Sequence, residues 1–149
     1  MSACLIGCPC RYDAKNALVR EARNLFEQGF LFPVCPEIMA GLPVPRRTIT
    51  IHGESGFAVL DGKARVIDSE NNDLTDRLIT SAMQCVAITE KFNISKALLK
   101  SKSPSCGVHQ TYCQDGLIFA SGLTAAALKR NGIQIFDETC DLNTVLYEK

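Results

Sequence analysis

The stretch LTDRLITSAMQCVAITEKFNISKALLK, residues 74–100, decides the fold class. Leu78, Ala82, Cys85, Ile88 and Phe92 recur three or four residues apart, the spacing that places side chains on one helix face, and predict a helix over 74–92 with an inward apolar stripe. It leads into Ser95–Lys100, which reads as a strand. A helix feeding a strand is half of a βαβ unit, and the same alternation continues on both sides. Upstream, Ala3–Ile6 reads as a short strand end. Asp13 is placed to cap a helix over Lys15–Gln28, with Leu18, Ala22, Leu25 and Phe26 at helical spacing and Gly29 as the residue that stops it. Phe30–Val34 then reads as a buried strand. Thr48–Ile51 and Phe57–Ile67 alternate loosely around the turn dipeptide Asp61-Gly62 and predict an antiparallel hairpin. Downstream, Ser121 is expected to cap a helix over Leu123–Lys129. Asn131-Gly132 should end it before a last strand at Ile133–Phe136. The fold expected is α/β: a mainly parallel sheet with flanking helices, Rossmann-like and three-layered, plus the hairpin, in one domain over residues 1–149.

Composition narrows the partners. Sixteen Lys and Arg against sixteen Asp and Glu leave no net charge, and no basic block is present to grip phosphates, so a nucleic-acid polymer is not expected. No apolar run reaches membrane-span length, and Met1-Ser2-Ala3 lacks the charged and apolar regions of a secretion leader. A cytoplasmic protein is expected. In that reducing compartment its eight cysteines point to metal binding, redox work or simple burial rather than to disulfides.

In open α/β sheets, ligands sit beyond the carboxyl ends of the strands. Cys4, Cys8 and Cys10 follow the first expected strand, Cys35 the second, and Cys106 the strand ending at Lys100. Cys85 falls on the apolar helix face and reads as a core thiol, and Cys113 and Cys140 read as structural residues in a turn and a tail. Paired CxxC knuckles for zinc and a CxxC redox motif are both absent; the only close pair is Cys8-Pro-Cys10. Three well-separated cysteines suit an iron–sulfur cubane with one iron lacking a protein thiolate, and by spacing alone ordinary burial stands beside that reading.

SACLIGCPCRYD (2–13), VCPEIMAGLPVPR (34–46), DGKARVID (61–68), KSPSCG (102–107) and GLTAAALKRNGIQIF (122–136) together resemble the family known as domain of unknown function 523, whose characterised members include thiouracil desulfidases. The resemblance spans nearly the whole chain. It implies a [4Fe-4S] cluster held by three cysteines and the non-redox removal of sulfur from a thiolated nucleobase or similar small thioamide. Carried onto this sequence, the ligands are Cys4, Cys35 and Cys106, with Cys10 the runner-up for the first position. Glu37 matches the catalytic glutamate, a base for the attacking water, and Ser103 the catalytic serine. Arg11, Asp13 and Arg46 are candidates for substrate contact or charge balance near the cluster. His52 and His109 are not expected to be ligands.

Two positions depart from the family pattern. Ala14 stands where a glycine is expected after Arg-Tyr-Asp, and RTITIHGESGF, after Arg46, lacks the expected proline-and-acid continuation. The second class of function to weigh is a binding module that holds zinc or a structural cluster without catalysis.

Overall fold

The computed structural model describes residues 1–147. In chain order it comprises a 3-10 helix (Ala3–Ile6), α1 (Arg20–Glu27), α2 (Pro36–Met39), β1 (Ile49–His52), α3 (Gly56–Leu60), β2 (Arg65–Asp68), α4 (Thr75–Lys91), β3 (Lys96–Leu99), β4 (Thr111–Cys113), β5 (Gly116–Ile118), α5 (Leu123–Arg130), β6 (Gln134–Asp137) and α6 (Leu142–Tyr147).

The architecture is α/β, with helices flanking the strands. β3 and β6 pair in parallel, Lys96 opposite Gln134 through Leu99 opposite Asp137. The other side of β3 is taken by the start of the chain, where Ser2 N–H donates to the Leu98 carbonyl at 2.9 Å. Ser2 in turn bridges Val34 in parallel, with Ala3 N–H on the Val34 carbonyl and Val34 N–H on the Met1 carbonyl, both at 2.8 Å. The parallel layer therefore runs Val34, Ser2, β3, β6, with the carboxyl ends of all four segments on one side.

The first two of these segments are shorter than expected. Ala3–Ile6 is a 3-10 turn rather than a strand end. It buries Cys4, Leu5 and Ile6 by curling them inward, and Gly7, at φ +98°, reverses the chain. Of Phe30–Val34 only Val34 pairs, and Phe30 and Phe32 are 66% and 44% exposed. This segment is the edge of its layer, and Pro33 has no N–H to offer a further strand. α1 begins five residues later than Lys15. Asp13 accepts from Lys15 N–H and from Arg11, so it closes a turn instead of capping the helix, and Leu18 is exposed.

A second sheet has the order β2-β1-β4-β5. β1 and β2 form the expected antiparallel pair, Ile49 opposite Asp68, but their connection contains α3. Ser55 Oγ caps that helix from Ala58 N–H, and Asp61-Gly62 ends it rather than turning a hairpin. β1 also pairs with β4 in parallel at Ile51–Cys113, and β4 pairs with β5 antiparallel, so Cys113 is a buried strand residue. Between this sheet and α3, α4 and α5 lies a core that includes Ile51, Val59, Val66, Leu78, Leu99 and Leu123. Leu78, Ala82 and Cys85 of α4 are buried as their spacing requires, with Cys85 Sγ 3.8 Å from Met39 Sδ, whereas Phe92 caps the helix and is exposed. Among the described residues, no helix is long and apolar enough to cross a membrane.

Candidate active site

Beyond the carboxyl ends of the parallel segments opens a cavity of about 550 Å³, and Cys4, Cys10, Cys35 and Cys106 all line it. Cys4 opens the 3-10 helix after Ser2. Cys35 follows Val34 and is the residue from which α2 starts, with Pro36 at its first turn, a position where the missing N–H costs nothing. Cys106 follows β3 through the Ser103–Cys106 loop. The convergence expected from strand order is thus present in space.

Burial and neighbouring groups act on the thiols of Cys10, Cys35 and Cys106. The Cys10 side chain contacts those of Cys35 and Cys4. Hydrogen bonding from Cys35 lowers its pKa, but Cys4, burial and the neighbouring thiols outweigh this and push it up to about 11. Cys35 is raised well above the ordinary thiol range, first by its hydrogen bond to Cys10 and then by burial. Cys106 is raised chiefly by burial, with the Ser2 hydroxyl working the other way. All three are therefore protonated near neutrality, and holding a metal group would release their protons. Cys8 and Cys140 do not line the cavity; both pack on the small cluster around Leu5 and Ala22.

Glu37, on α2, faces the same cavity with both oxygens occupied. Oε2 accepts from Arg46 Nε at 2.8 Å and from a terminal nitrogen of the same guanidinium, and Oε1 accepts from Ser105 Oγ at 3.0 Å. Arg46 also donates to the Cys10 carbonyl at 2.8 Å. Ser103 Oγ accepts from the N–H groups of Ser105 and Cys106 at 3.2 and 3.1 Å. Two donors fill its two lone pairs and leave its own proton free to point elsewhere.

Close packing holds the Ser103–Cys106 loop. The N–H groups of Leu123 and Thr124, at the start of α5, donate to the Pro104 and Ser105 carbonyls, both at 2.8 Å. The helix is therefore capped by loop carbonyls with Gly122 as its first flanking residue, not by Ser121, whose hydroxyl donates to Val108 O. A Cβ on Gly122 would sit 2.7–2.8 Å from the carbonyl oxygens of Ser103, Pro104 and Ser105, which is why no larger residue fits there.

The remaining candidates divide. Arg11 lines the cavity and is held by Asp13, Nε to Oδ1 at 3.2 Å; Asp13 itself does not line it. His52 and His109 lie outside the cavity lining. Arg46 pairs with Glu37, so its first partner is the candidate base. No local pattern singles out Ser105, nor Thr48, Ile49 and Thr50, which form part of the lining at the stretch that departs from the family pattern. The same holds for Lys100, whose ammonium is held by Glu138 at the end of β6.

Fold and site together define an α/β protein with a thiol-lined cavity and a fixed carboxylate inside it. The chain belongs to the 2-thiouracil desulfurase family, whose pattern it matches over residues 1–139. It is 33% identical over 149 residues, 98% of each chain, to the uncharacterized protein YbbK of Bacillus subtilis (strain 168). Its structure is similar to that of a [4Fe-4S]-dependent thiouracil desulfidase, TudS, with a TM-score of 0.83 and 31% identity over 97% of this chain and 93% of the other.

Proposed function

We propose that this chain, one domain over residues 1–149, is a cytoplasmic [4Fe-4S]-dependent desulfidase. It replaces the sulfur of a thiolated nucleobase or similar small thioamide by the oxygen of water. The atoms balance without an oxidant or reductant: C=S and H2O give C=O and H2S. The observation that carries this reading is that Cys4, Cys35 and Cys106, which follow Ser2, Val34 and β3 in the chain, line one cavity with Glu37. Family membership and the likeness to the desulfidase structure support it.

The donor set fits the cluster. Four cysteine thiols lie in the lining, its carboxylate Glu37 is already engaged by Arg46, and thiolates are ligands that iron–sulfur clusters and zinc share. Among the described residues no group of three or more His, Cys, Asp or Glu is arranged to hold a single metal ion, and thiolates are the donors an iron–sulfur cluster takes. Cys4, Cys35 and Cys106 would hold such a cluster, which when bound would supply Lewis-acid polarisation of a thiocarbonyl sulfur at an iron without a protein thiolate.

The chain's own groups supply the proton transfers. Glu37 takes a proton from the attacking water at the lone pair of Oε1 that Ser105 leaves open, because Oε2 already accepts from two Arg46 donors. Ser103, its acceptor sites filled by backbone N–H groups, donates its hydroxyl proton in a hydrogen bond to the departing sulfur. Arg46 keeps Glu37 in place, and Arg11, oriented by Asp13, contacts the substrate from the cavity wall. The test is anaerobic reconstitution followed by incubation with 2-thiouracil. Release of sulfide and uracil in equal amounts is expected. An iron-loaded protein that leaves every thiolated base unchanged would instead mark a structural cluster in a binding module.

A further inference from the structure

Resting on that reading, we propose that Ser105 is a positioning residue that fixes the orientation of the Glu37 carboxylate. Both contacts from Arg46 fall on one oxygen, Oε2. A carboxylate pinned at one oxygen can still swing about its terminal torsion, which is broad and weakly restrained in glutamate. Ser105 Oγ, donating to Oε1 at 3.0 Å, removes that freedom.

Ser105 is itself rigid. Its N–H donates to Ser103 Oγ at 3.2 Å, and its carbonyl accepts from Thr124 and Ala125 at 2.8 and 3.2 Å, so its backbone is tied both to its own loop and to the start of α5. The residue is buried and does not line the cavity, while Ser103 and Glu37 do. The backbone N–H of Ser105 serves Ser103 and survives any side-chain substitution, whereas its hydroxyl donates to Glu37, so the influence of the hydroxyl on the reaction passes through Glu37. The two serines of Ser103-Pro104-Ser105 divide the work: the first faces the substrate and the second holds the base.

The experiment is a kinetic double-mutant cycle on the reconstituted protein with 2-thiouracil. Ser105→Ala is expected to lower kcat about 10- to 100-fold, the loss that follows from a misplaced catalytic group. KM and iron per chain stay unchanged, and Ser105→Thr, which keeps the hydroxyl, restores most of the loss. In a Glu37→Gln background, Ser105→Ala is expected to cost less than about twofold more, because a residue acting through Glu37 has nothing left to orient. An unchanged kcat in Ser105→Ala would overturn the assignment. So would equal losses in the two backgrounds, or a loss that disappears when rates are expressed per bound cluster. A wild type inert on thiolated bases would bring down the proposed function itself, a result distinct from an active wild type indifferent to Ser105.

Discussion

Arg46 and Glu37, nine positions apart, form an ion pair whose side chains are only 5% and 13% exposed, and the same guanidinium reaches the carbonyl of Cys10. One arginine thus ties the base to the segment that carries the first cysteines. Removing one partner of such a pair leaves the other charge buried and uncompensated, which costs about 3–5 kcal/mol. Arg46→Ala is expected to destabilise the protein by about that amount in denaturant unfolding. Arg46→Lys, a point charge unable to span both acceptors, should fall between the two.

Glu37→Gln keeps the side chain's shape and removes the base. Iron and sulfide per chain should match the wild type, while sulfide release falls by about 10²- to 10⁴-fold, the contribution of a positioned general base. Full turnover in this variant would exclude Glu37 as the base whatever the state of the cluster.

Metal content separates the thiols. Cys4→Ala, Cys35→Ala and Cys106→Ala are each expected to lose most bound iron, because two remaining thiolates hold a cubane poorly. Cys10→Ala should retain it on the assignment of the first ligand position to Cys4, although the Cys10 thiol also lines the cavity. Cys8→Ala, outside the cavity lining, should be indistinguishable from wild type. Iron lost from Cys10→Ala and kept in Cys4→Ala would transfer the first ligand position to Cys10.

Ala14 has φ +57°, in the left-handed region where a Cβ costs about 1–2 kcal/mol. Ala14→Gly relieves that strain and gives back part of the gain through the freer unfolded chain. A net stabilisation of about 0.5–1 kcal/mol is expected, read as a raised unfolding midpoint with unchanged turnover. No change in midpoint would mean that the turn carries no strain.

Glu138 has its carboxyl pKa below the ordinary value: burial pushes it up, but Lys100 and the N–H and hydroxyl of Ser101 outweigh this. A group with a depressed folded pKa adds stability above its unfolded value, near 4.5, and loses it as pH falls through the folded value. Glu138→Gln should therefore cost about 1–2 kcal/mol near neutral pH and show a flatter acid limb in its stability profile. Equal losses at neutral pH and below about pH 3 would show that its charge is not what matters.

How much was legible depended on the range of the forces involved. The spacing of Leu78, Ala82 and Cys85, the stop at Gly29 and the Asn131-Gly132 end of α5 are local matters of helical period and left-handed turns, so α4, β3, α5 and β6 could be read along the chain. Cysteines after successive strands could likewise be assigned to one edge, because parallel topology brings strand ends together whatever packs around them. Tertiary structure alone decided the rest. Phe30 and Phe32 have the composition of a buried strand but lie at a sheet edge, and edge position is a property of the neighbours, not of the segment. β4 and β5, three residues each, are too short to show a period and exist through pairing, β4 with β1 and β5 with β4. Ser121 has the chemistry of a cap, yet the carbonyls of the Ser103–Cys106 loop reach the α5 amides first. The sequence by itself determined the α/β class and that Cys4, Cys35 and Cys106 follow successive segments toward one end of the parallel layer, but not the rest of the cavity wall, Thr48, Ile49, Thr50 and Lys100 among it. Only the folded chain decided that Arg46 and Ser105 turn toward Glu37, because that choice depends on side chains 9 and 68 positions away that reach its two oxygens, Arg46 at Oε2 and Ser105 at Oε1.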